Sequence, residues 1–356
     1  VTNLQRRIGP LSDWIEARVG VRPREDSFVQ SAAGFSAQTL YATLGDGARI
    51  VIRLEIPGGD VFLDSDIALQ GRLMSALARN HVPVPPMIGL EPDASVAGSR
   101  FLVMRHVDGR SFPTQPNFLD EGWVKVLPAC RQTRLWENSM ALLAQINRLA
   151  PADGFAFLDR PRYGRPGVDQ CVGAVRAWRE SIPGDRPNRV LDAAIAHLEA
   201  NKPSGLPVSL LWGDGDPTNI LFAEDQSVAA ALDFEAAALG PAEADLGWWL
   251  FREANRCAGR ERLRGMPGRD DCIALYSAAL GRPAAAVDYF EILGGARMAM
   301  VVASTCARLA RLGLMPADTD AAEANPMLRT LAGMLDIEPP PVGEGFHAFV
   351  RAVTNR

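Results

Sequence analysis

The chain is short of the residues that build covalent frameworks and metal clusters. Among 356 residues it has five cysteines and four histidines. Cys130, Cys171, Cys257, Cys272 and Cys306 are scattered, odd in number and never spaced as C-x-x-C. They read as reduced thiols of a cytoplasmic protein, which excludes a disulfide scaffold and a zinc site. Positive charge is not in excess either. The net charge of −5 gives no electrostatic ground for nucleic-acid binding. The opening VTNLQRRIGPLSDW has no apolar signal core. The most apolar late stretch, residues 289–304, is interrupted by Glu291 and Arg297, so it is expected as a buried helix and not a membrane span. Internal repeats are missing. Hydrophobic residues at 47% and charged residues at 22% are ordinary for a globular chain, long enough for one large or two modest domains.

What the chain does have is a dense polar stretch within residues 208–250. An apolar run, 208–211, leads into Trp212-Gly213-Asp214 and on to Asn219. Ile220 and Leu221 precede a turn at Glu224-Asp225-Gln226, and a small-residue strand then ends on Leu232-Asp233-Phe234-Glu235. Two short strands thus each deliver polar residues at a loop. Asp, Gly, Pro, Thr and Asn are also ordinary turn residues. The combination with a strand on either side and Asp233 at the next strand end points to chemistry. Metal-assisted phosphoryl transfer needs a carboxylate to orient a hydroxyl and oxygen ligands for magnesium on the nucleotide phosphates. Asp214, Asn219 and Asp233 match the D-x-x-x-x-N plus D-F-x arrangement in which those tasks are divided.

This segment resembles the core of the aminoglycoside phosphotransferase and choline kinase-like family, whose usual form is H-G-D-x-x-x-x-N, then D-W/F-E and an Asp-Leu-x-W helix. Trp212 stands where the family has His, and Asp245-Leu246-Gly247-Trp248 matches the helix. The resemblance implies that Asp245 braces the catalytic loop by hydrogen bonding. Following Gly240-Pro241, it also reads as a helix N-terminal carboxylate.

Upstream, residues 11–19 read as an amphipathic helix and 27–44 as strand, loop, strand. The loop carries Ser31, Gly34, Phe35 and Ser36. Small residues let backbone amides approach phosphate, although a plain hairpin has the same composition. In the family this is the loop that covers the nucleotide. Gly45-Asp46-Gly47 is a turn. In the next strand, 49–54, Ile50, Ile52 and Leu54 point one way and Val51 and Arg53 the other. The resemblance makes Arg53 the cation on the nucleotide phosphates; on residue pattern alone it is equally a surface arginine. Asp64-Ser65 is expected to cap a helix through Arg79, with Ile67, Gln70, Met74 and Leu77 on one face. Gln70 falls where kinases pair a Glu with that cation, and Asp66 is a candidate substitute. His81-Val82-Pro83-Val84-Pro85-Pro86 is a stiff connector, and 101–104 a buried strand. The resemblance then places a hinge at 105–109. The backbone of Arg105 and Val107 would meet the base edge, Met104 would lie behind the base, and His106 would be an exposed side chain.

The remainder reads as helical: 131–150, 172–178, 190–198, 271–280 and 288–312. Arg160, Arg162 and Arg165 lie in a Gly- and Pro-rich loop, solvated or facing an anionic substrate. Residues 252–269 are rich in arginine, which suits a neutral or anionic hydroxylated acceptor or a solvated mixed-charge face. A tail with Pro339-Pro340-Pro341 is expected to wrap loosely on the surface.

The resulting expectation is an α+β, two-lobe protein kinase-like fold. Residues 1–104 form the nucleotide-binding lobe, 105–109 the hinge and 110–356 the catalytic and acceptor-binding lobe. Asp214 is catalytic, Asn219 and Asp233 hold magnesium, and ATP or GTP donates the phosphoryl group to a small hydroxylated acceptor. No nucleic acid or membrane takes part. Gln70 and Trp212 motivate the alternative, a non-catalytic nucleotide-binding pseudokinase. A metal-dependent hydrolase is disfavoured by the few histidines. Acceptor-binding residues come from variable helices and loops, so antibiotic, sugar, amino alcohol and other metabolites stay open.

Overall fold

The computed structural model describes residues 3–31, 37–56, 58, 61–182 and 186–354. Helix α1 (Asn3–Val19) starts well before the predicted residue 11 and runs through Pro10. Leu4 and Ile8 extend the apolar stripe of Leu11 and Ile15 onto the same core, and that packing outweighs the amide hydrogen that proline lacks. Strands β1 (Val29–Gln30), β2 (Ala37–Thr43) and β3 (Arg49–Glu55) follow, then α2 (Ile67–Arg79), β4 (Met87–Glu91) and β5 (Phe101–Arg105). The strands form one antiparallel sheet in the order β1-β2-β3-β5-β4.

The period-two pattern of β3 decides what each face carries. Ile50, Ile52 and Leu54 are buried with Leu40, Phe101 and Val103 under α1. Val51 and Arg53 take the other face, where Leu102 and Met104 join the core of α2. In register, Arg53 sits between Thr39 and Leu102. Helix α2 is capped by Asp66, whose side chain accepts from the Ala68 N–H at 2.8 Å, and not by Asp64 or Ser65. Asp64 has a φ of +65° and faces the helical body instead, bound by Arg160, Arg162 and Tyr163.

The helical body begins with α3 (Ala129–Asn147), α4 (Val168–Ser181) and α5 (Arg189–Ala200). Four short strands come next: β6 (Val208–Leu211), β7 (Ile220–Phe222), β8 (Val228–Ala231) and β9 (Ala238–Pro241). β6 pairs with β9, and β7 with β8 as the predicted hairpin. Helices α6 (Glu243–Cys257), α7 (Arg269–Leu280), α8 (Val287–Arg311), α9 (Pro326–Met334) and α10 (Glu344–Thr354) complete the described chain. Helix α8 is long and apolar enough to cross a membrane by length and composition, yet 72% of its most apolar window is buried against other elements. Its Glu291 is paired with Arg269. Helices α6 and α8 cross with their backbones close together: a Cβ on Gly247 would stand 2.2 Å from the Phe290 carbonyl carbon. The tail is more ordered than its prolines suggest. Phe349 and Val353 of α10 pack beside Val302 and Leu309.

Sheet and body share apolar core. Met74, Leu77 and Met104 belong to the same cluster as Trp136, Leu143 and Trp212. The connector is stitched to the body by the Ala231 N–H, which donates to Pro83 O at 2.7 Å.

Candidate active site

β6 runs directly into the polar loop, and the loop is held from below by α6. The Asp245 carboxylate, in the first turn of α6, accepts from the backbone N–H groups of Trp212 at 2.7 Å and Gly213 at 2.9 Å, and from Asn147 Nδ2 at 2.7 Å. The expected brace and the helix-terminal position therefore coincide in one side chain. Burial raises the Asp245 pKa, and these donors oppose it. Gly213 has a φ of +84°, and a Cβ there would lie 2.0 Å from Ala236 O, so the site admits only glycine. The Trp212 ring is buried and stacks on Phe234 with centroids 5.5 Å apart. Its Nε1–H donates to the carbonyls of Leu232 at 3.0 Å and Asp233 at 3.1 Å. The indole thus ties the first polar loop to the second.

Asp214 is 9% exposed. Its Oδ1 accepts from Trp248 Nε1 at 3.1 Å and an Arg252 guanidinium nitrogen at 2.9 Å. Its Oδ2 accepts from Asn219 Nδ2 at 3.0 Å. Burial pushes the Asp214 pKa up to about 6, while Arg252 pulls it down and Asp233 and Asp216 add to the rise. Asp216 is buried and paired with Arg252 Nε at 2.9 Å and with Arg256 at 2.7 Å, and it caps the turn through Thr218 N–H. The arginines overcome its burial and hold its pKa down at about 2. Arg252 and Arg256 are therefore neither a solvated face nor free cations: they form an alternating-charge ladder under the loop. Sequence reasoning missed Asp216, Asn147 and the inward turn of these arginines, and it gave Trp248, named only as part of the matching helix, no contact with Asp214. The spacing of Trp248, Arg252 and Arg256 on α6, four residues apart and so on one helical face, was the available signal.

A cleft of about 400 Å³ opens beside this loop. It is lined by Ser31, Arg53, Gln70, Met104, Arg105 and Val107 from the sheet side. Asn219, Asp233 and Phe234 close it from the body. The described residues expected to contact nucleotide or metal are thus brought to one space. Gly34, Phe35 and Ser36 lie outside the described residues. Asp233 has a φ of +58°, and its Oδ1 is buried without a hydrogen-bond partner, 3.7 Å from Arg53. Arg53 meets Asp233, whereas Asp66 is spent on the helix cap and on Arg100 at 3.2 Å; the substitute role expected for it does not occur. His106 is not an exposed side chain. Its backbone N–H donates to Arg49 O, and its ring lies edge-on to Tyr41, 6.1 Å away, at the cleft wall. Burial lowers its pKa, with Arg49 acting in the same direction. In the loop before α4, Arg160 is largely covered and paired with Asp64 at 3.2 Å, while Arg165 is exposed.

A sequence model described as the phosphotransferase enzyme family matches residues 27–282. The chain belongs to that family. Its fold is the two-lobe, kinase-like α+β fold of the family. One solved structure, a Ralstonia eutropha JMP134 protein assigned to the aminoglycoside phosphotransferases, is 22% identical with a TM-score of 0.68, covering 92% of this chain and 98% of that one. Another is the GDP complex of aminoglycoside 2′-phosphotransferase-IIIa, 13% identical with a TM-score of 0.56, covering 98% and 99%. Among curated sequences, acyl-CoA dehydrogenase family member 11 of Rattus norvegicus is 27% identical over 264 residues, 71% of this chain and 32% of the rat protein. The chain thus spans about a third of the length of that relative.

Proposed function

We propose that this chain moves the γ-phosphate of ATP or GTP to a hydroxyl of a small molecule, assisted by magnesium. The observation that carries the reading is the set of donors on Asp214. An ionised carboxylate offers about four acceptor positions. Trp248 and Arg252 take two on Oδ1, and Asn219 takes one on Oδ2. The remaining position, on Oδ2, is where an acceptor hydroxyl binds. Asp214 orients that hydroxyl and receives its proton as the new oxygen–phosphorus bond forms. A pKa near 6 leaves it mostly ionised at neutral pH and still basic enough to accept.

Magnesium fits the oxygens present. Asp233 Oδ1 is a buried carboxylate oxygen without a donor, and Asn219 spends its Nδ2 on Asp214, leaving Oδ1 as its acceptor end. Among the described residues no group of three or more His, Cys, Asp or Glu side chains could hold a metal alone. That suits magnesium, which takes one or two carboxylates and completes its shell with phosphates and water. When bound, it neutralises charge on the transferring phosphoryl group. Arg53 adds a cation on the sheet side, and Ser31 borders the same space. Met104 lines the same cleft. The Arg105 N–H is already donated to Pro86 O at 2.8 Å, so toward the base edge Arg105 offers its carbonyl and Val107 its N–H. The GDP carried by a structural relative supports a purine nucleotide here. Catalysis is then mostly positioning and charge placement.

The Asp214→Asn variant keeps size and loses the proton acceptor. Transfer is expected to fall by roughly two to four orders of magnitude. Nucleotide affinity, measured by calorimetry with magnesium, stays within about twofold because Asp214 does not line the cleft. Full transfer by the variant overturns the assignment. Gln70 supports the second reading, a non-catalytic nucleotide-binding pseudokinase: it is a neutral amide, and among the described residues no hydrogen bond joins it to Arg53. A large gain in turnover in Gln70→Glu marks the native site as weakened.

A further inference from the structure

A second cavity, about 80 Å³, shares no lining residue with the nucleotide cleft. Asp214 lines neither of them but is joined to both. Its chain neighbour Gly213 walls the small cavity, and its hydrogen-bond partner Asn219 walls the cleft. Most of the small cavity is apolar, with Phe62, Val175, Trp178, Leu239 and Leu293 around it. Two guanidinium groups break that surface, Arg160 and Arg297. The one carboxylate on the wall, Asp64, is already shared by Arg160 at 3.2 Å, Arg162 and the Tyr163 hydroxyl at 2.7 Å. Gln170 spends its amide nitrogen on Asp159 at 2.8 Å.

Arg297 is the less compensated of the two. It donates to Gly213 O at 2.7 Å and lies 4.8 Å from the centre of the Trp248 ring. Among the described residues no carboxylate forms an ion pair with it. Burial lowers the pKa of both Arg297 and Arg160; the nearby carboxylates of Asp245 and Asp214 offset part of this at Arg297, and Asp64 offsets part of it at Arg160. The cavity is therefore net positive, small and otherwise greasy. A partly desolvated guanidinium with spare N–H donors is costly until an anion meets it. Its planar fork matches a carboxylate in two parallel hydrogen bonds. A polycation would meet like charge here, and a polyol would strand its hydroxyls on apolar walls.

We propose that this cavity seats the acceptor by a carboxylate held at Arg297, with Arg160 beside it, on a short aliphatic body that reaches Asp214 with its hydroxyl. The acceptor class is thus a hydroxyalkanoate. This inference rests on the phosphotransfer reading, and its test separates the two. Calorimetry of the whole chain loaded with magnesium and a non-hydrolysable ATP or GTP analogue compares hydroxyhexanoate, hydroxybutyrate, hexanediol and aminohexanol. Hexanoate, which has no hydroxyl to phosphorylate, probes the cavity apart from transfer. The acids are expected to bind at least about tenfold more tightly than the diol and the amino alcohol, the scale of a charge-assisted pair. Arg297→Gln removes that advantage, and Arg297→Lys restores part of it. Ala174→Leu, which fills the cavity from α4 and alters no polar group, blocks all the acids. Thermal melts of each variant report whether it folds. Diol or amino alcohol binding as well as the acids, or acid binding indifferent to both Arg297→Gln and Ala174→Leu, overturns the proposal. Arg297-dependent acid binding, with no phosphate transferred to the hydroxy acids when ATP or GTP replaces the analogue, upholds the cavity and counts against the phosphotransfer reading.

Discussion

Asp214 receives three hydrogen bonds on two oxygens, and each donor changes what the carboxylate can do. Burial drives its pKa up to about 6 while the Arg252 cation holds it down. Only the ionised form accepts a proton, so turnover is expected to fall as pH drops through about 6. Arg252→Gln removes the restraining cation, so the acid limb of kcat/KM against pH moves to higher pH. A limb that stays or moves down contradicts the arrangement. Asp216 is the opposite case. Its pKa lies near 2, below the ordinary 3.8, so its contribution to stability is fully present above 3.8 and is lost as pH falls toward 2. Asp216→Ala leaves the covered Arg256 guanidinium without its carboxylate and Arg252 with Asp214 alone, and denaturant unfolding at neutral pH should show a loss on the order of 3 kcal/mol. Trp212 ties the two polar loops together, because its indole N–H reaches both the Leu232 and Asp233 carbonyls.

At the scale of elements, the crossing of α6 and α8 sets the active-site geometry. Helix α6 carries Asp245, Trp248, Arg252 and Arg256 on the side toward the loop, and α8 brings Arg297 to Gly213 O. The close approach depends on Gly247, where a Cβ would overlap the Phe290 backbone. Gly247→Ala must push the helices apart, at a cost of about 3 kcal/mol, and it drags the brace and the ladder with it. Both the melting temperature and turnover are expected to drop. Gly333 in α9 has open space where a Cβ would stand, with nothing within 4 Å, so Gly333→Ala should instead gain roughly 0.5–1 kcal/mol from helix propensity. Equal effects of the two substitutions in chemical denaturation would mean that the crossing is not tight.

Across the whole molecule, the cleft is closed by residues from both halves: Arg53 and Gln70 from the sheet side, Asn219 and Asp233 from the body. A ligand that bridges them binds only the folded chain and must stabilise it. Magnesium with ATP or GTP at about a hundred times Kd should add close to 3 kcal/mol, read as a rise in melting temperature. Asp233→Asn is expected to shrink the magnesium-dependent part of that rise. An unchanged rise in the variant removes Asp233 from the metal site, and the larger of the two nucleotide shifts identifies the preferred base.

Local pattern alone determined much of this. The alternation of β3 put Arg53 opposite the buried face of Ile50, Ile52 and Leu54, because side chains alternate in any strand. The five-residue span from Asp214 to Asn219 brought both to one loop, since a short turn leaves them nowhere else to go. The start of α1 was misplaced because Pro10 breaks helices locally, and only the sheet beneath Leu4 and Ile8 reverses that preference. Asp64 and Asp66 are both able caps, and the choice was settled by Arg160 and Tyr163, nearly a hundred residues away in sequence. The same holds for the arginines of α6. Their four-residue spacing puts them on one face, a signal the sequence analysis did not use, but which charge each meets depends on how α6 lies under the loop. Burial and ion pairing are long-range sums over elements distant in the chain, so only the tertiary structure decided that Arg252 grips Asp214 and that Arg297 faces a cavity with no carboxylate among the described residues in an ion pair with it.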